Sequence, residues 1–348
     1  MAERRFLVVR LGSLGDIVHT FPAVAALRET FAASEIIWLT HARYKMLVQS
    51  SGLASEIWTT ETRSMSSLMK TIREIRDTSF DTAIDYQGLW KSASLPFLAG
   101  VERRIGFSQE SVREFGVTLL YTDRVRATSS HVADQNGELS KRAGAKNAVA
   151  NFRLDPPLHH EELSKVFLGR DLEKYVVLSP GGGWRSKCWR PERFGALCQK
   201  IFESLSLRCV INYGPGEEDL AAKLRAASGD AAPVLFNGDL GPLMSILRAA
   251  ICVVGGDTGP LHVAVALGTP VIALFGPTNP ARNGPYRNPA SSASAAQSSD
   301  RYNPQDIVLR APNVVTTHSR QDRTHPSMLE IQVDAVFEAV HRIVEARK

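Results

Sequence analysis

Short apolar runs alternate with longer amphipathic stretches along the chain, which is the pattern of an α/β protein. In the first half, the predicted strands are residues 6–11, 36–39, 57–59, 82–85 and 104–107. Residues 16–31 and 65–76 carry apolar side chains at helical spacing and predict helices between strands. Strands that alternate with helices favour a parallel, doubly wound sheet.

The second half repeats this pattern. Its predicted strands are residues 175–178, 209–212, 234–236, 251–254 and 271–275, and its predicted helices are residues 193–203, 217–227 and 242–249. A polar stretch with two prolines separates the halves, so we predict two α/β domains, residues 1–160 and 161–328. An amphipathic helix at 333–346 is predicted within a tail, residues 329–348.

The segment from residue 251 to 286 combines several local signals. After its first predicted strand, two glycines allow a tight turn, and Asp257 or Thr258 can cap the helix that follows. Pro260 fits the first turn of this helix, and Gly268 ends it. The positive end of the helix then lies at the carboxyl edge of a parallel sheet, where α/β proteins bind anionic ligands.

The composition is that of a globular protein, with 348 residues of which 44% are hydrophobic and 22% charged. The net charge of +5 is spread along the chain and does not demand a nucleic-acid partner. The four cysteines lack metal-ligand spacing and are expected to be reduced core residues. No signal peptide or run of about 20 apolar residues is evident. We therefore expect a cytoplasmic protein that could contact a membrane surface peripherally.

Two glycine-containing turns follow predicted strands and carry candidate chemistry. In SPGGGWRSK (179–187), glycine amides can approach an anion and Lys187 adds a positive charge, although a surface turn with a solvated lysine fits the same letters. In LGSLGD (11–16), Asp16 opens a helix and is either a general base or only a helix cap. His19, one turn further, is expected to be structural. Neither a D-x-D metal motif nor a G-x-G-x-x-G dinucleotide motif is present.

The block D-T-G-P-x-H-x-A-x-A-x-G-x-P, followed by A-L-F-G-P-T-x-P, resembles the donor-site signature of glycosyltransferase family 9, the heptosyltransferases of lipopolysaccharide core synthesis. The resemblance implies a GT-B fold, with two Rossmann-like doubly wound domains facing a cleft. It also implies that the last helix returns to the N-terminal domain. Asp16, within S-x-G-D-x-x-H, matches the catalytic aspartate of the family, and Lys187 matches its phosphate-contacting lysine.

The resemblance also implies a set of donor-binding residues: Gly182, Gly183, Lys187, Glu217, Asp257, Thr258, Gly259 and His262. Glu217 would contact the ribose, with Glu218 as its competitor. Asp257 would fix the turn or contact the sugar, because a carboxylate beside phosphates is unfavourable. His262 would donate a hydrogen bond to the diphosphate, and a buried structural role is its alternative. Family members often carry Thr or Ser where this chain has two of its loop glycines.

The stretch DYQGLWKSA (85–93) resembles the first heptosyltransferase of the pathway, whereas the second usually differs around Gln-Gly. The acceptor-binding residues implied are Ser13, Gly15, Gln87, Lys91 and Arg113. Basic side chains there would face an acceptor rich in carboxylate and phosphate. Taken singly, each is equally consistent with a solvated surface charge.

The predicted activity is an inverting, metal-independent transfer of heptose from ADP-heptose to Kdo-lipid A. Another family 9 transferase with a different acceptor or donor, a nucleotide-sugar epimerase and a non-catalytic nucleotide-sugar-binding protein are the alternatives. No cofactor, no metal and no nucleic-acid partner are expected. A monomer is expected, with contact at the inner face of the inner membrane as an option. The Ser/Ala-rich residues 288–304 are predicted to be a mobile loop without chemistry.

Overall fold

The computed structural model describes residues 4–157, 174–287, 305–312, 314–317 and 323–347. The predicted domain boundary at residue 160 and the Ser/Ala-rich residues 288–304 lie outside this part of the chain. The described residues form two compact units. The first ends at Leu154, and the second begins at Asp155 and includes the described residues up to the C-terminal helix.

The first unit is built on a parallel sheet. Its strands are β1 (Arg5–Val9), β2 (Glu35–Thr40), β3 (Glu56–Thr59), β4 (Thr82–Asp85), β5 (Arg104–Phe107) and β6 (Asp123–Val125), in the order β3-β2-β1-β4-β5-β6. The helices are α1 (Leu14–Val18), α2 (Phe21–Thr30), α3 (Lys45–Ser50), α4 (Met65–Thr78), α5 (Trp90–Ala99) and α6 (Val132–Ala143). The order reverses at β1 and β4, whose following loops lie side by side.

The second unit has the same layout. Its strands are β7 (Tyr175–Ser179), β8 (Arg208–Asn212), β9 (Val234–Phe236), β10 (Cys252–Gly256), β11 (Val271–Phe275) and β12 (Ile307–Arg310), in the order β12-β11-β10-β7-β8-β9, all parallel. The helices are α7 (Pro191–Leu205), α8 (Glu218–Ala226), α9 (Leu240–Ala249), α10 (Gly259–Ala266), α11 (Pro280–Asn283), α12 (Pro326–Glu330) and α13 (Val333–Glu345). The predicted α/β class with two doubly wound sheets is confirmed.

The helix predicted at residues 16–31 is two helices, α1 and α2. Pro22 occupies the second position of α2, where its missing N–H is not needed. In one continuous helix the proline ring would meet the carbonyl of Val18 and remove a hydrogen bond. The chain therefore stops α1 at Val18 and starts again at Phe21.

The last helix, α13, packs in the second unit, so the prediction that it returns to the N-terminal domain is wrong. Its buried residues Val336, Val340 and Ile343 belong to the core that also holds Trp189 and Phe194. An amphipathic pattern shows that a helix covers a core, but it does not specify which core. Here the apolar stripe of α13 covers α7 and β11 of its own unit.

A buried ion pair connects the residues at either end of the undescribed stretch 288–304. The Arg287 guanidinium donates to both carboxylate oxygens of Asp306, at 2.6 and 2.7 Å, and to the carbonyls of Val265 and Thr269. The two side chains are only 8% and 0% exposed. The pair therefore fixes the entry to β12 against α10.

Replacing Arg287 by Met should lower the free energy of unfolding by about 3–5 kcal/mol, because a buried carboxylate then loses its partner. Urea unfolding measures this change. Lys200→Met, which removes one side of the exposed pair with Asp334, is the control and should cost less than about 1 kcal/mol. Equal effects of the two substitutions would contradict the structural role of Arg287.

Candidate active site

Two loops meet at the carboxyl edge of the first sheet, because β1 and β4 are neighbours and Val9 lies opposite Asp85. The backbone N–H of Leu11 donates to Gln87 Oε1 at 2.7 Å. Gln87, predicted to bind the acceptor, thus joins the loop after β4 to the glycine turn that carries Asp16. The structure brings these two predicted motifs together.

Asp16 lies in the first turn of α1 with its carboxylate held by three groups. The N–H and hydroxyl of Ser13 donate to Asp16 Oδ2 at 3.1 and 2.9 Å. Arg10 Nη2 lies 2.9 Å from Asp16 Oδ1. The Arg10 side chain is 7% exposed, whereas that of Asp16 is 38% exposed. Asp16 therefore caps its helix and at the same time presents a fixed, reachable carboxylate, so the two readings of this residue are compatible.

His19 is buried at the end of α1, with its ring edge-on to His131 at 5.2 Å between centroids. Its backbone carbonyl accepts a hydrogen bond from the buried side chain of Asn136. Its place in the core agrees with the structural role that the sequence suggested.

Asp85 shapes the loop that carries Gln87. Its Oδ1 accepts the N–H groups of Gln87 and Gly88, and its Oδ2 accepts the hydroxyls of Ser92 and Tyr121, at 2.8 and 2.7 Å. Burial raises the pKa of this carboxyl, although the hydrogen bonds act in the opposite direction. The sequence indicated the motif but not this positioning role, which depends on Tyr121, 36 residues away.

Lys91 and Arg113, the other predicted acceptor residues, have exposed side chains. Lys91 is in the first turn of α5, and Arg113 follows a short 3₁₀ turn, Gln109–Ser111. Gly15, also predicted for the acceptor, is buried within α1. These positions leave the acceptor assignment a prediction.

In the second unit, the glycine-rich loop after β7 lies against the turn after β10. Ser179 pairs with Gly255 in the sheet. A Cβ on Gly182 would lie 3.1 Å from Cys188 Sγ and 3.3 Å from Thr258 Cγ2, so glycine lets the loop approach the start of α10 closely. A Cβ on Gly183 would meet nothing, and this residue is exposed.

Lys187 is not a solvated surface lysine, because its side chain is only 15% exposed. Its ammonium donates to the carbonyl of Asp257 and lies 3.4 Å from Asp257 Oδ2. The other carboxylate oxygen, Oδ1, is 3.2 Å from His262 Nε2. Burial alone would raise the pKa of Asp257, but His262 and Lys187 outweigh it and lower this pKa to about 2. Asp257 thus fixes a lysine and a histidine at the start of α10.

Thr258 is the N-cap residue of α10, and Gly259 is its first residue. The Thr258 hydroxyl is buried and has no hydrogen-bond partner among the described residues. The buried hydroxyls of Ser179, at the end of β7, and Thr278, after β11, share this property. At or just after the ends of the three adjacent strands β7, β10 and β11, the chain thus carries buried hydroxyls that have no partner among the described residues. Buried polar groups normally have partners, so this edge fits a ligand with many acceptor atoms.

Ser179 and Thr278 were missed as site residues by sequence reasoning. Both residues lie within the motifs quoted above. Because a hydroxyl side chain at the end of a strand is common, the sequence offers no reason to single them out. The signal is the shared burial of three hydroxyls that lack partners within the described part of the chain, and only the three-dimensional structure reveals it.

Glu217, not Glu218, reaches the glycine-rich loop. Its carboxylate accepts the N–H groups of Gly182 and Gly214, at 3.0 and 2.8 Å. A Cβ on Gly181 would come within 2.2 Å of this carboxylate. Glu218 is exposed and accepts only the nearby N–H of Gly216 among the bonds of the described residues.

A cavity of about 1190 Å³ adjoins the same loop. Gly182, Gly183 and Glu217 line it together with Trp184 and Arg323. The cavity lies wholly in the second unit and is large enough for a nucleoside. Within the described residues, we find no group of three or more His, Cys, Asp or Glu side chains placed to hold a metal ion. None of the described helices is both long enough and apolar enough to span a membrane.

Comparison with known proteins finds relatives that share one name, lipopolysaccharide heptosyltransferase 1. Lipopolysaccharide heptosyltransferase 1 of Pseudomonas aeruginosa is 28% identical over 81% of this chain and 81% of its own length. The enzyme of the same name from Escherichia coli K12 is 25% identical over 81% of this chain and 91% of its own length.

Solved structures of similar fold include E. coli ADP-heptose LPS heptosyltransferase II, with a TM-score of 0.80 at 18% identity, covering 99% of both chains. The E. coli heptosyltransferase WaaC with ADP has a TM-score of 0.73 at 21% identity, covering 97% of this chain and 99% of that one. These likenesses confirm the predicted GT-B class. The sequence model of "Glycosyltransferase family 9 (heptosyltransferase)" matches residues 68–307, well over half of the chain. The protein therefore belongs to glycosyltransferase family 9 and is a glycosyltransferase.

Proposed function

We propose that this glycosyltransferase transfers heptose from ADP-heptose to the Kdo-lipid A inner core of lipopolysaccharide, with inversion at the anomeric carbon. The observation that carries the proposal is the group of Lys187, Asp257 and Thr258 at the start of α10. The names of the relatives, which are lipopolysaccharide heptosyltransferases, support the same assignment.

The donor diphosphate is assigned to the start of α10. Lys187 supplies an ammonium there, and the amides of Thr258 and Gly259 lie at the positive end of a helix of eight residues. Charge on the departing ADP grows as the glycosidic bond breaks, and a fixed cation lowers the barrier by stabilising it. Asp257 keeps the Lys187 ammonium in place. The hydrogen bond between His262 and the Asp257 carboxylate would direct the imidazole toward Asp257 rather than toward the phosphates.

The nucleoside is assigned to the cavity beside the glycine-rich loop. Glu217 lines this cavity, and each of its carboxylate oxygens can accept a further hydrogen bond from a ribose hydroxyl. Gly183 would bring its backbone amide to the phosphates. The amide of Gly182 already donates to Glu217, so Gly182 would contribute the close approach of the loop to Thr258.

Asp16 is assigned as the general base. It would take the proton of the acceptor hydroxyl as that oxygen attacks the anomeric carbon and the bond to ADP breaks on the opposite face. The buried Arg10 pairs with Asp16 Oδ1, and the Asp16 side chain is 38% exposed, so an acceptor can reach this carboxylate. Ser13, Gly15, Gln87, Lys91 and Arg113 remain the proposed acceptor residues, and Gln87 has its amide nitrogen left to donate.

The second candidate is the neighbouring step of the same pathway, a transfer of the second-heptosyltransferase type. The fold likeness to E. coli heptosyltransferase II does not distinguish the two. The Asp85-Tyr86-Gln87-Gly88 stretch favours the first step, because it resembles the first heptosyltransferase, whereas the second usually differs around Gln-Gly.

Activity is expected to survive EDTA, because Lys187 and the start of α10 can stabilise the diphosphate without a divalent ion. Initial rates with ADP-heptose, measured with and without chelator, test this. Loss of turnover with EDTA and its return on adding Mg²⁺ would contradict the proposed phosphate site.

A thermal-shift panel of ADP, UDP and GDP tests the donor assignment independently of turnover. A ligand at 100 times its dissociation constant adds about 2.7 kcal/mol of stability, which is easily detected. ADP should stabilise the protein most. Equal stabilisation by all three nucleotides, or none by ADP, would reject ADP-heptose as the donor.

A further inference from the structure

Five large apolar side chains are exposed on α5 and on the segment that packs against it. Trp90, Phe97 and Leu98 are 45%, 43% and 53% exposed, and Phe115 and Leu119 are 87% and 68% exposed. The three residues of α5 are spaced i, i+7 and i+8, which places them on one side of the helix. We call these five residues the apolar surface. Exposed apolar patches mark interaction sites, and these five side chains lie on two segments that pack against each other.

The segment that carries Phe115 is firmly held. The backbone N–H of Trp90 donates to Glu114 Oε2 at 2.6 Å, and the Trp90 indole N–H donates to the carbonyl of Phe115 at 3.2 Å. The N–H of Gly116 donates to Gln109 Oε1 at 2.9 Å. Because these hydrogen bonds hold the backbone around Phe115, its side chain is kept exposed and accessible to a binding partner.

Basic side chains contact the apolar surface, and the segment that carries it has a small excess of positive charge. Residues 90–126 contain six Lys and Arg against four Asp and Glu. Glu114 accepts a backbone N–H, and Asp123 is paired with Arg103 and Arg142, so Arg103 does not add to the excess. The Arg104 guanidinium lies over the ring of Phe97 at 5.4 Å, and Arg76 donates to the carbonyl of Leu98 at 2.9 Å.

The interface of an anionic bilayer is bound by surfaces that combine exposed Trp and Phe side chains with neighbouring Lys and Arg side chains. The aromatic rings sit at headgroup level, and the basic side chains are attracted by the negative surface potential. A purely apolar partner surface would gain nothing from this charge.

The apolar surface begins where the proposed acceptor residues lie. Helix α5 starts at Trp90, five residues after the last residue of β4, and Lys91 is its second residue. Gly88 packs against Val112, next to Arg113, since an added Cβ would lie 3.1 Å from Val112 Cγ1. From there α5 extends for ten residues, about 15 Å.

We propose that the first unit docks on an anionic lipid bilayer through this apolar surface, so that the acceptor sugar is reached while its lipid stays in the membrane. The inference rests on the proposed lipid-linked acceptor. Phe115 and Leu119 enter the interface, and Lys91 and Arg113 face the headgroups and the anionic sugar at the edge of the same region.

Sedimentation with phosphatidylcholine vesicles, with and without phosphatidylglycerol, tests the docking without any substrate. The full chain should bind the anionic vesicles, and Phe115→Ser with Leu119→Ser should weaken binding at least tenfold. Val315→Ser removes an apolar side chain that is 82% exposed in the second unit, and this variant should bind as the unchanged protein does. Thermal unfolding checks that all variants are folded.

Equal binding by the double variant, or no binding by the unchanged protein, would overturn the proposal. A concentration-dependent dimer that the double variant abolishes would assign the apolar surface to a second copy instead. Turnover separates this inference from the proposed function. The double variant should lose activity on acceptor embedded in vesicles and keep it on a deacylated, soluble acceptor. If the unchanged protein turns over neither acceptor, the proposed function fails, whatever the vesicles show.

Discussion

Asp16→Asn should reduce turnover by about 10²- to 10⁴-fold while ADP affinity stays unchanged, because general base catalysis typically contributes that much. Asn keeps the size of the side chain and can still accept from Ser13. It cannot take a proton at neutral pH. Initial rates under saturating donor and acceptor, with calorimetric titration of ADP, measure the two quantities.

Glu35→Gln is the matched control for this experiment. Glu35 is an exposed carboxylate of the same unit and is paired with Arg5, but it is the first residue of β2 and so lies at the amino edge of the sheet. It should leave turnover unchanged. Because Asp16→Asn removes the negative charge that pairs with the buried Arg10, thermal unfolding is needed to show that the variant is folded. A folded variant with near-normal turnover would remove Asp16 from the mechanism.

Lys187→Ala should weaken ADP binding by about tenfold or more, since a charge-assisted contact to phosphate is worth about 1.5–3 kcal/mol. The change also leaves the Asp257 carboxylate beside the proposed phosphate position without the ammonium that pairs with it. Repulsion of the diphosphate then adds to the lost attraction. Calorimetry with ADP measures the effect.

Three substitutions serve as controls for Lys187. Lys200→Ala removes a more exposed lysine of the same unit and should not alter ADP affinity. Lys91→Ala and Arg113→Ala, both in the first unit, should weaken binding of the acceptor and leave the affinity for ADP unchanged. If either of them reduced ADP affinity as severely as Lys187→Ala does, the assignment of one substrate to each unit would be wrong.

The sequence placed Asp16 and the glycine-rich loop well because the signals are local. A strand, a glycine turn and a helix start are neighbours in sequence, so their positions at the carboxyl edge of a sheet follow from short-range rules. Helix α10 shows the same, since Thr258 occupies its N-cap position and Gly268, at φ +85°, follows its end.

The partners of these residues could not be predicted from local pattern. Lys187 meets Asp257 across 70 residues, and Gln87 meets Leu11 across 76. Helix α5 was missed for a different reason: it carries Pro96 and apolar residues on more than one side, so its spacing is not that of an amphipathic helix. The apolar surface is visible only after the core has been assigned.

The most direct test is to incubate the protein with ADP-heptose, with and without Kdo-lipid A, and to follow ADP, the free nucleotide sugar and the new glycosidic bond. The account predicts ADP release that depends on the acceptor and a heptosyl product of inverted anomeric configuration. An altered nucleotide sugar formed without acceptor would indicate an epimerase. Binding of the donor without any product, or a product that retains the anomeric configuration, would equally contradict the proposed transfer.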